Sequence, residues 1–212
     1  MRGDMGTATA DSTRLLWALS TLLKWRNLDS STYCEGTRKM SIAEETRLND
    51  VDIESVADLA GKIQEEPEVA DTKWNAQVKW KGGFRSEATI RDFEPLISDE
   101  PPALGGSNTG PNPVEQVLAA LGNCLAVGYA ANATSAGIEI NDLSIDLEGD
   151  IDLHTFLGLS DGNAGYSGIS VKVTIDSDAS EADLEALHKK VTNTSPVGHT
   201  LSRTVPVKIE LS

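Results

Sequence analysis

The longest apolar stretch of the chain runs from Gly110 to Gly137 and carries a single ionised side chain, Glu115. Pro111 and Pro113 stand where missing N–H groups cost a helix nothing, Asn112 is a candidate N-cap, and Gly137 is a fitting C-terminal stop. The pattern predicts one long helix, apolar on every side, and such a helix belongs inside a domain. Upstream the period changes from helical to alternating. Trp74, Ala76, Val78 and Trp80 alternate with Lys73, Asn75, Gln77 and Lys79. Gly82-Gly83 then turns the chain, and Phe84, Ser86, Ala88 and Ile90 share one face of a return strand, so residues 73–93 are expected to form a β-hairpin. Residues 96–110, rich in Pro and Gly, read as loop.

Further elements follow from the same reasoning. Val56, Leu59, Ala60 and Ile63 repeat at helical spacing after Asn49-Asp50, predicting a helix to about Gln64 that Pro67 ends. Downstream of the long helix, Leu143, Ile145, Leu147, Ile151 and Leu153 predict one strand, and Ile169, Val171, Val173 and Ile175 another, joined by a glycine-rich connection over 158–168. Ser180 to Val191 reads as a helix with Leu184, Leu187, His188 and Val191 inward. Ser195-Pro196 opens a short turn as N-cap and first helical residue, and Val205, Val207, Ile209 and Leu211 predict a terminal strand. The order is two strands, long helix, two strands, helix, strand. It defines an α+β fold with a buried central helix packed on a mostly antiparallel sheet.

Charge and composition divide the chain. Residues 1–39 hold six Lys/Arg against four Asp/Glu and a leucine stripe at 15, 16, 19, 22 and 23, whereas residues 40–212 hold 12 against 29, a net of −17. The change at Met40 reads as the start of the body, with 1–39 an extension that is extra or disordered, 40–72 an acidic helical segment, and 73–212 the main domain. An excess of carboxylates repels nucleic acid and anionic membranes, so neither is expected as a partner. The leucine stripe is too short and too interrupted to span a bilayer. Cys34 and Cys124 lie 90 positions apart without a CxxC, and His154, His188 and His199 fall in separate elements. Neither a disulfide framework nor a metal site is indicated, no cofactor is expected, and a reduced cytoplasmic thiol is the reading that remains.

Candidate chemistry is sparse. Cys124 lies at helical spacing from Val117, Ala120, Leu121, Val127, Gly128 and Ala131, which by pattern alone makes it a core cysteine. Asp99 and Glu100 form a carboxylate pair that reads as an exposed acidic loop. Ser195 with His199 lacks a Gly-x-Ser-x-Gly elbow and already serves as an N-cap. Gly105 to Gly110 lacks the Lys of a phosphate loop.

Three stretches change the picture. Asp99-Glu-Pro-Pro-Ala-Leu-Gly-Gly106, then Gly110-Pro-Asn-Pro-Val-Glu-Gln-Val-Leu-Ala-Ala-Leu-Gly-Asn-Cys124, and later Ser195-Pro-Val-Gly-His-Thr-Leu201 together resemble the OsmC/Ohr family, over roughly residues 73–212. The resemblance implies an intertwined homodimer and thiol-dependent reduction of organic hydroperoxides, a defence against oxidative stress. Cys124 would be the nucleophile, and Arg85 resembles the arginine that supports its thiolate. A free thiol titrates near about 8.5, so reactivity near neutrality needs such support.

The sequence departs from the family's peroxidases at two positions. Their second, resolving cysteine precedes the Pro-Val of the late motif, where this chain has Ser195, so a one-cysteine cycle with an external thiol reductant is implied. Their helix opens Asn-Pro-Glu, whereas here Val114 intervenes and Glu115 stands nine positions before Cys124. Nine helical residues turn by about 180° and rise roughly 13.5 Å, so Glu115 cannot touch Cys124 along its own helix. It is left either pairing with Arg85, in the same subunit or across the dimer, or favouring the helix N-terminus. The alternative to a peroxidase is a redox-inactive dimer of the same fold that binds a small hydrophobic ligand, with Cys124 as packing.

Overall fold

The structure, a computed structural model, describes residues 47–211. The expectations for residues 1–39, Cys34 included, lie outside the described residues. A 3-10 turn, Leu48–Asp50, precedes helix α1 (Ile53–Glu65), whose N-cap is Asp52, three residues beyond the predicted Asn49. Asn49 instead adopts φ 51° and works at long range. Its amide donates to the Thr134 hydroxyl and the Ile138 carbonyl, and its oxygen accepts the Ile140 N–H. Helix periodicity marks α1 correctly but cannot show a side chain clamping a segment some ninety residues away.

The predicted hairpin forms with shorter strands, β1 (Gln77–Trp80) and β2 (Ser86–Thr89), paired antiparallel with Trp80 opposite Ser86. A third strand, β3 (Leu96–Ser98), pairs with β2 inside the stretch expected to be loop. Three residues between prolines carry too little period to announce a strand. Its pairing is supplied by the open edge of β2.

Helix α2 (Pro113–Ala136) is the predicted central helix. Asn112 Oδ1 accepts the Glu115 N–H at 2.9 Å while Glu115 accepts the Asn112 N–H at 2.8 Å, a reciprocal capping box. Gly137 ends the helix at φ 71°, a left-handed conformation that a side chain resists.

Strand β4 (Asp142–Ile151) alternates without a break, its Leu143, Ile145, Leu147 and Ile151 turned in and its carboxylates turned out. It pairs antiparallel with β5 (Tyr166–Asp176). Leu153, expected to end β4, instead opens a short helix α3 (Leu153–Phe156) behind the Asp152 cap. Helix α4 (Glu181–Thr194) starts at the Ser180 cap, and α5 (Pro196–Ser202) starts at Ser195.

The core is one face of α2. Leu121, Leu125, Tyr129 and Ala133, one turn apart, are buried with Leu187 and Val191 of α4. Inward residues of β4 and β5 pack around them. A methyl group at Gly122 would sit 2.8 Å from Leu147 Cδ1, and one at Gly128 2.9 Å from Val191 Cγ1, so these glycines set how near the helix lies to β4 and α4.

Other apolar positions do not find cover within the described chain. Val127 on the opposite side of α2 is 70% exposed, and Trp80 in the hairpin is 76% exposed. The predicted terminal strand forms no ladder, and Ile209 is 90% exposed. Its alternation is present, but strand period cannot supply an edge to pair with. By length and hydropathy α2 could cross a bilayer. Its packed face on β4 and α4 and its polar capping box make it the core helix of a soluble fold.

The loop into α2 corrects the reading of Asp99 as an exposed acid. Asp99 is 1% exposed, and its carboxylate accepts N–H bonds from Glu100, Ser107 and Thr109 and the Thr109 hydroxyl at 2.9–3.1 Å. Burial alone would raise its pKa. The four donors outweigh that and hold the pKa below the ordinary 3.8. A depressed folded-state pKa means stability present above the unfolded value and lost as pH falls through the folded one. Thermal unfolding midpoints measured from about pH 7 to about pH 3 should therefore fall more steeply below pH 3.8 for the native protein than for Asp99→Asn. Parallel curves would remove Asp99 as the loop's anchor.

Candidate functional site

Cys124 is half-buried on α2, one position before buried Leu125, and so at the margin of the packed face. Opposite it the chain leaves α4 and enters α5. Ser195 is the hinge of that passage, 4% exposed, and its Oγ accepts the Gly198 N–H at 3.1 Å as the α5 cap. Cys124 Sγ and Ser195 Oγ lie 3.3 Å apart. Periodicity misses this contact; its only sequence signal is the position of Ser195 in the late motif.

A pocket of about 410 Å³ opens onto the thiol. Val127, Gly128 and Ala131 of α2 and Val191 and Pro196 opposite supply its apolar walls, and Asn123, Asn132 and Thr194 its polar groups. Among the described residues, no ionisable side chain apart from Cys124 itself lines it. Asn132 is turned to its own helix, donating to the Gly128 carbonyl at 2.7 Å.

The other two predicted site residues stand outside this pocket in a single chain. Arg85 is exposed in the β1–β2 turn, with Nε donating to the Gly82 carbonyl at 3.3 Å. Glu115 is occupied in the capping box at the far end of α2, the local role its spacing from Cys124 left open. Tyr166 packs near it and donates to the Val114 carbonyl at 2.8 Å. Burial, then the Glu115 charge, raises the Tyr166 pKa.

Next to the pocket lies a second polar pair. Tyr129 is fully buried, and its hydroxyl bonds His188 Nδ1 on α4, the two rings stacked with centroids 6.1 Å apart. Burial raises the Tyr129 pKa, which keeps the phenol neutral. His188, predicted to face inward, is exposed except for this bond. Among the described residues, no group of three or more His, Cys, Asp or Glu is placed to hold a metal ion.

These features define an α+β domain in which one long helix presents a half-exposed thiol to an uncharged pocket. Residues 106–210 match the family described as OsmC-like protein. A Bacillus subtilis (strain 168) protein named "Uncharacterized protein YmaD" is 25% identical over 150 residues, 68% of this chain and 96% of that one. Among solved structures, an OsmC-like protein from Mycoplasma pneumoniae matches with TM-score 0.55 and 22% identity, covering 62% of this chain and 89% of the other. An OsmC-like protein of unknown function from Vibrio cholerae matches with TM-score 0.51 and 11% identity, over 61% of this chain and 94% of the other. At these identities the structures establish the fold. Over residues 106–210 the chain carries an OsmC-like domain.

The Tyr129–His188 bond ties α4 to α2 beside the pocket. Tyr129→Phe should destabilise the protein by about 0.5–1.5 kcal/mol in urea unfolding, the usual net worth of such a bond, because exposed His188 can turn to water. A loss well above that range would give the pair a larger part in holding α4 in place.

Proposed function

We propose that the protein is a one-cysteine peroxidase that reduces organic hydroperoxides with Cys124, as a cytoplasmic homodimer. The observation that carries this reading is the half-exposed Cys124 at the mouth of a 410 Å³ pocket whose lining is otherwise uncharged. A packing cysteine would be enclosed. An apolar hydroperoxide fits such walls, and its two oxygens could meet the thiol and the few polar groups beside it. The Cys124 thiolate attacks the distal peroxide oxygen, the O–O bond breaks, and the alkoxide takes a proton and leaves as alcohol. Cys124 is then a sulfenic acid. Ser195 stands where a resolving thiol would be needed for an internal disulfide, so two equivalents of an external thiol return Cys124 to the thiol, releasing water and a disulfide.

The homodimer is supported by the uncovered apolar faces. Val127 on α2, Trp80 in the hairpin and Ile209 near the C-terminus are all largely exposed, and a second copy would cover them. In this reading Arg85 meets Cys124 from the second subunit, with Glu115 able to orient it.

Purified protein treated with cumene hydroperoxide should give a trappable sulfenic acid on the Cys124 peptide, and Cys124→Ser should lose peroxide consumption. Absence of the adduct under excess peroxide would sink the peroxidase reading and leave the pocket as a site for a small hydrophobic ligand. Arg85→Ala should slow turnover about tenfold or more, equivalent to about 1.4 kcal/mol in the barrier. Light scattering should give twice the chain mass for the native protein, and Val127→Asp, which places a charge on the uncovered face of α2, should shift it toward monomer. A native monomer would remove both the dimer and the proposed route of Arg85.

A further inference from the structure

We propose that Ser195 is a positioning residue for Cys124: its hydroxyl, held from behind by the Gly198 N–H, donates a hydrogen bond to Sγ and favours the reactive thiolate. This deepens the reading of Cys124 as a reactive thiol and rests on it.

The geometry leaves the hydroxyl few choices. Oγ accepts the Gly198 N–H at 3.1 Å, and Ser195 is buried, so water does not readily compete for its proton. Among the described residues, Cys124 Sγ at 3.3 Å is the partner that proton can reach. A neutral thiol can either donate to Oγ or accept from it, but a thiolate can only accept. Ionisation therefore selects one orientation, a chain from the Gly198 N–H through the Ser195 hydroxyl to Sγ. In such a chain the first bond polarises the second. Hydrogen bonds to an ionised acceptor are about twice as strong as neutral ones, so the chain favours the thiolate over the thiol.

Thr194, also in the pocket wall, donates its hydroxyl to the Lys190 carbonyl at 2.8 Å. Among the described residues, none of the ionisable groups on the elements packed against Cys124, Glu115 on α2, Lys190 on α4 and His199 on α5 included, lines the pocket. Asn132 spends its amide on the Gly128 carbonyl. A serine that served only as a helix cap would satisfy Gly198 equally well without a sulfur atom at its other side.

The two roles separate experimentally. Full-length reduced protein is alkylated with iodoacetamide from about pH 6 to about pH 10, and modification of the Cys124 peptide is followed by mass spectrometry so that Cys34 does not contribute. Ser195→Ala is expected to move the midpoint of that profile upward, and Ser195→Thr, which retains both the hydroxyl and the cap, to return it toward the native position. Coincident profiles for the native protein and Ser195→Ala, both folded by circular dichroism, overturn the proposal, since loss of a cap alone would lower stability and leave the profile in place. Should Ser195→Ala not fold, Ser195→Cys takes over: mild oxidation is expected to link the introduced thiol to Cys124, and a missing linked peptide shows the side chains are not adjacent and ends the proposal. Peroxide consumption is measured separately. A shifted profile in a protein that consumes no peroxide counts against the peroxidase and leaves the role of Ser195 standing.

Discussion

A 24-residue helix with one charged side chain has to be kept from water over most of its surface, and the described residues cover one side of it. Leu121, Leu125, Tyr129 and Ala133 are sealed by α4 and the β4–β5 ribbon, and the glycines at 122 and 128 let those elements approach closely. The other side holds Val127, Ala120 and Asn123 in the open. Fully burying a side chain such as valine is worth about 1.5 kcal/mol or more, so an uncovered face of this length is a standing drive toward association. The exposed hairpin and the unpaired C-terminal segment present the same incomplete surface. The position of Cys124 follows from this constraint, because it lies at the boundary between the sealed and unsealed sides of α2.

What could be read in the sequence was whatever depends on neighbours along the chain. The Asn112 cap, the Gly137 stop, the alternation of β4 and the Ser195 cap are local devices, and each appears where its residues predict it. What depends on distant partners was not legible. Asp99 looks like an exposed acid because its neighbours are acid and proline, yet its burial is decided by donors at 107 and 109 that a folded loop brings back to it. Leu96–Ser98 becomes a strand because β2 offers it an edge. Val205 to Leu211 has the period of a strand and pairs with no edge among the described residues.

The candidate site divides along the same line. Cys124 and Ser195 were each visible as positions in motifs, but their 3.3 Å approach belongs to the packing of α2 against the α4–α5 junction. Glu115 could be placed by helix geometry alone, since its distance along α2 separates it from the thiol, and the capping box gives it local employment. Arg85 is different. The hairpin pattern put it in the return strand, whereas it lies in the β1–β2 turn, where it donates to the Gly82 carbonyl.

Electrostatics gives the last constraint on the thiol. The chain carries a formal net charge of −15, and the potential of so many carboxylates opposes creating another anion on the same body. Salt screens that opposition over about 8–10 Å, which leaves the decision to groups in direct contact. A short-range donor therefore matters more here than it would in a neutral protein. The α4–α5 junction brings a hydroxyl into that range, because the Ser195 oxygen is fixed by Gly198 and lies 3.3 Å from sulfur. In the proposed chemistry this serine, standing where a resolving thiol would be, sets a fixed dipole against Cys124 that acts together with the Arg85 charge brought by the second subunit.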